Sequence, residues 1–166
     1  MARPISSPLE DQARDITGAA LQATLVDLVD LVDLSLLAKQ AHWNLVGRQF
    51  HDVHLHLDEL VDTARKYSDE VAERAAAIGV SPDGRAATVT ADSRVPDVDS
   101  GWLKDRDVIR IAFEALDAAV KGLRPRIEEV EKADLVTQDL FIEITAALEE
   151  QRWMWQAQNV GYESGA

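Results

Sequence analysis

The sequence predicts an all-α protein: a four-helix bundle with a long crossover between its second and third helices. Three observations carry this. Apolar residues recur at intervals of three and four through most of the 166 residues. No segment alternates apolar and polar with period two, so no sheet is expected. Helix-breaking residues gather at Gly47, at Gly79 to Gly84, and from Pro96 to Gly101.

The elements follow in order. Residues 1–14, with two prolines and mixed charge, read as a flexible tail. From Asp15 to about Leu45, the residues Leu21, Leu25, Leu28, Val32 and Leu36 mark one apolar stripe, and Gly47 ends it. A second helix runs from about Gln49 to Ile78 on Val53, Leu57, Leu60, Val61, Ala64 and Val71. Gly79 is its natural stop, followed by Pro82 and Gly84. Residues 80–100 form the crossover, in which ATVTADSR holds a short helix or nothing regular. The third helix fits Gly101 to Lys132, capped by Ser100 or Asp99, with Pro125 kinking or interrupting it. The fourth starts at Thr137 as N-cap, has Asp139 in its first turn, and runs to about Asn159. Residues 15–160 thus make one domain, with 161–166 a short C-terminal tail. Two short loops and one long crossover between the second and third helices describe a ferritin-like bundle.

Composition narrows the function. Apolar residues are 46% of the chain, enough for a core. The absence of cysteine excludes disulfides, thiolate metal sites and cysteine nucleophiles, and fits a reducing cytosol. The N-terminus has no apolar secretory segment, and the greasiest stretch, Leu21 to Leu37, is broken by Asp27, Asp30 and Asp33, so no membrane association is expected. A net charge of −13 disfavours nonspecific binding to DNA and favours metal cations.

All four histidines, His42, His51, His54 and His56, lie in QAHWNLVGRQFHDVHLHLDEL. On the second helix, His54 and Asp58 are i and i+4, as are Asp69 and Glu73. All four fall within an arc of roughly 100°. Asp58 and Asp69 are ~16 Å apart along the axis at 1.5 Å per residue, while metal–ligand bonds are about 2 Å. One site cannot use both pairs from one chain. Two copies packed antiparallel about a two-fold axis can, with the axis near Thr63 and Ala64, whose small side chains permit close approach. His42 reaches the His54 end across the short turn. The set is then His42, His54 and Asp58 from one chain, with Asp69 and Glu73 from its mate. Mixed imidazole and carboxylate ligands suit Fe(II), Zn or Mn. His51 and His56 fall off the arc and are read as surface residues, as are Asp52 and Glu59.

These residues resemble the Dps family, the mini-ferritins, or DNA-binding proteins from starved cells. The matching pattern is His42-Trp43-Asn44, Gly47 and Phe50, His54, Asp58, and Asp69 to Arg74, with LEEQRWMW around Trp153 similar to the family's last helix. The resemblance implies a hollow homo-dodecamer with ferroxidase sites shared across two-fold dimers. It implies oxidation of Fe(II) by hydrogen peroxide in preference to oxygen, and storage of ferric mineral. In this role His42 and His54 supply nitrogen donors, and Asp58, Asp69 and Glu73 stabilise the ferric product. Zinc competes for such ligands. Trp43, beside a ligand, is implied to intercept stray radicals. Acidic residues near the start of the last helix, here Asp134, Asp139 and Glu143, are implied to line an iron-entry pore. The ExxH motif of larger ferritins is absent, which favours the inter-subunit site. Many family members compact DNA through lysine-rich tails. Here residues 1–15 carry only Arg3 and Arg14 against Glu10, Asp11 and Asp15, and NVGYESGA carries no basic group. Weak or absent DNA binding is therefore expected, and a DNA-compacting nucleoid protein with secondary iron chemistry is the alternative reading.

Overall fold

The computed structural model describes residues 5–26, 31–92 and 98–163. Among them the chain forms α1 (Asp11–Val26), α2 (Leu31–Asn44), β1 (Leu45–Val46), α3 (Phe50–Ala77), α4 (Ala86–Asp92), β2 (Leu103–Lys104), α5 (Asp105–Val130) and α6 (Leu135–Glu163). The expected all-α bundle is present. α2 packs along α3 and α5 along α6, and α1 closes on α3 and α5. No helix among the described residues is long and apolar enough to cross a membrane.

The core is apolar and continuous, from Leu21 and Leu34 through Leu57, Ile109 and Leu116 to Phe141, Ile144 and Trp155. The stripe expected on the first helix is only partly right. Leu21 is buried, but Leu36 is 54% exposed, because α2 turns Leu34, Leu37, Ala38 and Ala41 inward instead. Leu28 and the continuity of the first helix across residues 27–30 lie outside the described residues.

Boundaries differ where local contacts override pattern. α1 begins at Asp11, four residues before the expected start at Asp15. α3 stops as expected at Gly79, whose φ of +81° suits glycine. The amides of Gly79 and Val80 donate to the carbonyls of Ala76 and Ala75, the Schellman arrangement. α4 realises the short-helix alternative in the crossover. α5 begins at Asp105, not Gly101, and neither Ser100 nor Asp99 caps it. Gly101 has a φ of +111°, which no helix contains. The helix runs through Pro125 to Val130 without interruption. α6 begins at Leu135, and its cap is Asp134, not Thr137. The amides of Val136 and Thr137 donate to the Asp134 carboxylate at 3.3 Å, and the Thr137 hydroxyl donates to it as well.

The expectation of no sheet needs one correction. β1 and β2 form a parallel two-residue ladder, Leu45 opposite Leu103 and Val46 opposite Lys104. Two residues are too few to leave a period-two pattern. The ladder ties the α2–α3 corner to the start of α5. Asp105 completes the tie: its carboxylate accepts hydrogen bonds from the amides of Gln49 and Arg106, both at 2.8 Å. That carboxylate occupies the space a side chain at Gly47 would need, and Gly47 has a φ of +146°. Glycine is required there on both grounds.

Candidate metal centre

The corner fixed by Gly47 and Asp105 lays the end of α2 against the start of α3. His42 and His54 meet there as a stacked pair, with ring centroids 3.6 Å apart. Each ring is held by the other's backbone. His42 Nδ1 lies 3.1 Å from the His54 carbonyl, and His54 Nδ1 lies 3.3 Å from the His42 carbonyl. A carbonyl only accepts, so both Nδ1 atoms must carry the proton. Both Nε2 lone pairs are then directed away, available to a metal. The Asp58 carboxylate lies 3.3 Å from His42 Nδ1. Phe50 stacks on the outer side of His54 at 5.0 Å. Candidate ligand atoms of His42, His54 and Asp58 all lie within 4.8 Å of one another. Two neutral nitrogens and one carboxylate oxygen are a donor set that could hold a divalent metal.

A cation of the protein already touches this half. Lys39 Nζ is 2.5 Å from Asp58 Oδ1. Lys39 is one turn before His42 on α2, so both present to the same strip of α3. Its hydrogen bond holds the Asp58 carboxyl below the usual range, against the opposing effect of burial.

Asp69 and Glu73 are exposed on α3 and take no part in the cluster of their own chain. Asp69 lines an open groove of about 630 Å³ with Arg65, Lys66, Ser68 and Pro82. The two carboxylates are thus presented outward.

Residues 19–161 match the ferritin-like domain. DNA protection during starvation protein 2 of Deinococcus radiodurans is 36% identical over 138 residues, 83% of this chain, although the match spans only 56% of that relative. DNA protection during starvation protein of Mycolicibacterium smegmatis is 39% identical over 75% of this chain and 68% of its own length. The solved structure of Dps from Microbacterium arborescens in the high iron form superposes with a TM-score of 0.86 at 28% identity, covering 93% of this chain and 98% of the other. The chain belongs to the Dps family.

In this Dps-family chain, the remaining candidate residues separate clearly. Trp43 is 67% exposed, so core packing within its own chain does not account for it. His51 is a surface residue as expected. His56 is not: it is 8% exposed, and its ring lies flat on Trp155 at 4.0 Å, the two planes 1° apart. His56 sits about 200° around α3 from His54, which turns it into the bundle. Burial pushes its imidazole below the usual value, against the opposing influence of Gln158.

Among the acidic residues assigned to an entry pore, Asp139 and Glu143 are exposed on α6. Glu143 accepts hydrogen bonds from Lys66 Nζ at 3.3 Å and the Tyr67 hydroxyl at 3.2 Å. Asp134 differs: it is 7% exposed, caps α6, and is paired with Arg74 at 2.5 Å. Burial opposes its charge, but Arg74 and Thr137 outweigh that and hold its carboxyl below the usual range. Both of its oxygens are engaged in anchoring α6 on α3. Sequence reading missed Lys39 and Trp155. Lys39 had one signal, its position three residues before His42.

Proposed function

We propose that the protein is a ferroxidase and iron store that oxidises Fe(II) at sites shared between two chains, and so protects against oxidative damage. The observation that carries this is the half-site: two tautomer-locked histidines beside Asp58, with Asp69 and Glu73 exposed and unused on the same helix. His42, His54 and Asp58 of one chain and Asp69 and Glu73 of the other would bind iron, the substrate. The imidazoles hold Fe(II) without adding charge, and the three carboxylates favour the more highly charged product. Hydrogen peroxide takes one electron from each of two Fe(II) ions. Its O–O bond breaks, giving two hydroxides and two Fe(III), so no hydroxyl radical is released. Trp43, exposed next to His42, would donate an electron to stray radicals. Asp139 and Glu143 are the remaining entry-pore residues, and twelve copies would enclose the ferric mineral.

The family match, the solved relative in the high iron form and the donor set support iron. Zinc would occupy the same ligands as an inhibitor. The acidic charge makes DNA compaction the weaker reading and suits a cytoplasmic protein that guards DNA by removing iron.

Complementation tests the sharing. His42→Ala and Asp69→Ala chains are each mixed with Fe(II) anaerobically, then given peroxide, and ferric formation is followed by absorbance. Each alone should be slow. A mixture of the two regenerates one intact site per mixed dimer and should recover a substantial part of the wild-type rate. A mixture no faster than its components would refute the shared site.

A further inference from the structure

This inference rests on the shared-site reading and concerns what sets its register. On α3 the pairs His54/Glu73 and Asp58/Asp69 have one midpoint, between Thr63 and Ala64. At about 100° per residue the same face also carries Leu55, Asp62, Arg65 and Ala72. These are symmetric about the same point, Leu55 with Ala72 and Asp62 with Arg65. The face therefore matches itself when reversed: apolar meets apolar, carboxylate meets guanidinium, and ligand pair meets ligand pair.

Ala64 is fully buried in its own core, and the Thr63 hydroxyl donates to the Glu59 carbonyl. Asp62 and Arg65 are the outward residues at the midpoint, both exposed. Their spacing, i and i+3, would allow an ion pair within one helix, yet the structure forms none between them. Slipped registers are penalised. A slip of four residues replaces the Asp62–Arg65 contacts by Asp62 against Asp69 and Arg65 against Lys66, like charge on like charge. A slip of three the other way sets Asp62 against itself.

We propose that Asp62 of each chain pairs with Arg65 of a second copy around the two-fold axis. These reciprocal pairs select the register that brings His54 and Asp58 to the mate's Glu73 and Asp69. Opposite charges meeting across an interface fix register and exclude alternatives.

Two reciprocal variants test this. Asp62→Arg leaves four cations around the axis, two in each pair, and Arg65→Asp leaves four anions. Each alone should dimerise at least about tenfold more weakly than wild type by sedimentation velocity, like charges now facing one another. Iron oxidation should fall in parallel. Mixed in equal amounts, the variants should form mixed dimers preferentially and recover both assembly and oxidation. High salt should shrink the difference. An ion pair within one helix is lost in both variants and cannot be restored by mixing. Variants that each assemble like wild type, or a mixture no better than its components, would overturn the proposal. If the His42→Ala and Asp69→Ala chains still complement one another in that case, the shared site stands and only the register pairs fall.

Discussion

Replacing Lys39 by methionine should tighten metal binding near neutral pH, with the gain shrinking as pH falls. Lys39 Nζ sits 2.5 Å from Asp58 Oδ1, so an ammonium holds an oxygen that the proposed metal site would use. The Asp58 side chain is 41% exposed and that of Lys39 24%, so the pair is well solvated. Such pairs contribute only about 0.2–1 kcal/mol to stability. Folding stability near neutral pH should therefore change by less than about 1 kcal/mol. A divalent ion feels the ammonium more strongly. At about 4 Å, in water-like screening, repulsion between charges of +1 and +2 is about 2 kcal/mol, and the flexible lysine relieves part of it by swinging away. Affinity should rise by about 1–2 kcal/mol, or roughly five- to thirtyfold. The pH dependence moves the other way. Lys39 holds the Asp58 carboxyl below its ordinary range. Without it the carboxyl regains a proton at higher pH, so binding is lost earlier on acidification. Anaerobic calorimetric titration with Co(II), which neither air nor the protein oxidises readily, measures both. Affinity equal to or below wild type near neutral pH would show that Lys39 does not compete for the site.

Three further outcomes are expected. Asp134→Ala removes the α6 cap and leaves Arg74 without its partner, so denaturant unfolding should show a loss of about 3–5 kcal/mol near neutral pH. The folded carboxyl of Asp134 is held below its unfolded value. Its contribution is therefore present above about pH 4 and disappears as pH falls through the folded value, so wild type and variant should converge in acid. Trp155→Ala empties a fully buried site beneath His56 and should destabilise by about 3–5 kcal/mol in the same assay. Trp155→Phe, which keeps a ring against His56, should lose much less. A gel shift across a salt series should show little DNA retention at physiological ionic strength. Firm retention there would overturn the argument from tail charge.

The helices were legible because an amphipathic stripe is a local property. Val53, Leu57, Leu60 and Val71 declare α3 by spacing alone, and all are buried. The boundaries were less so, because α5 and α6 start where Asp105 and Asp134 find partners on other segments. Pattern around Ser100 or Thr137 carries no trace of those partners. Lys39 and Asp58 are nineteen residues apart, and nothing near either one announces the other. His56 was misread for a related reason. A histidine off the arc of the other donors reads as exposed until the opposing helix is known to place Trp155 under it.

By itself the sequence determined which donors exist, that four of them share one face of a long helix, and that two of those stand too far along it to serve the others' metal. Those conclusions need only the helical rise and twist, which are the same in every α-helix. Tertiary structure decided the rest. It brought His42 onto His54 so that each backbone carbonyl locks the other's ring, set Lys39 on Asp58, and buried His56 and Asp134. Such contacts depend on how helices cross and on where a turn held by Gly47 and Asp105 directs the chain. Residue spacing within a single helix does not contain that angle.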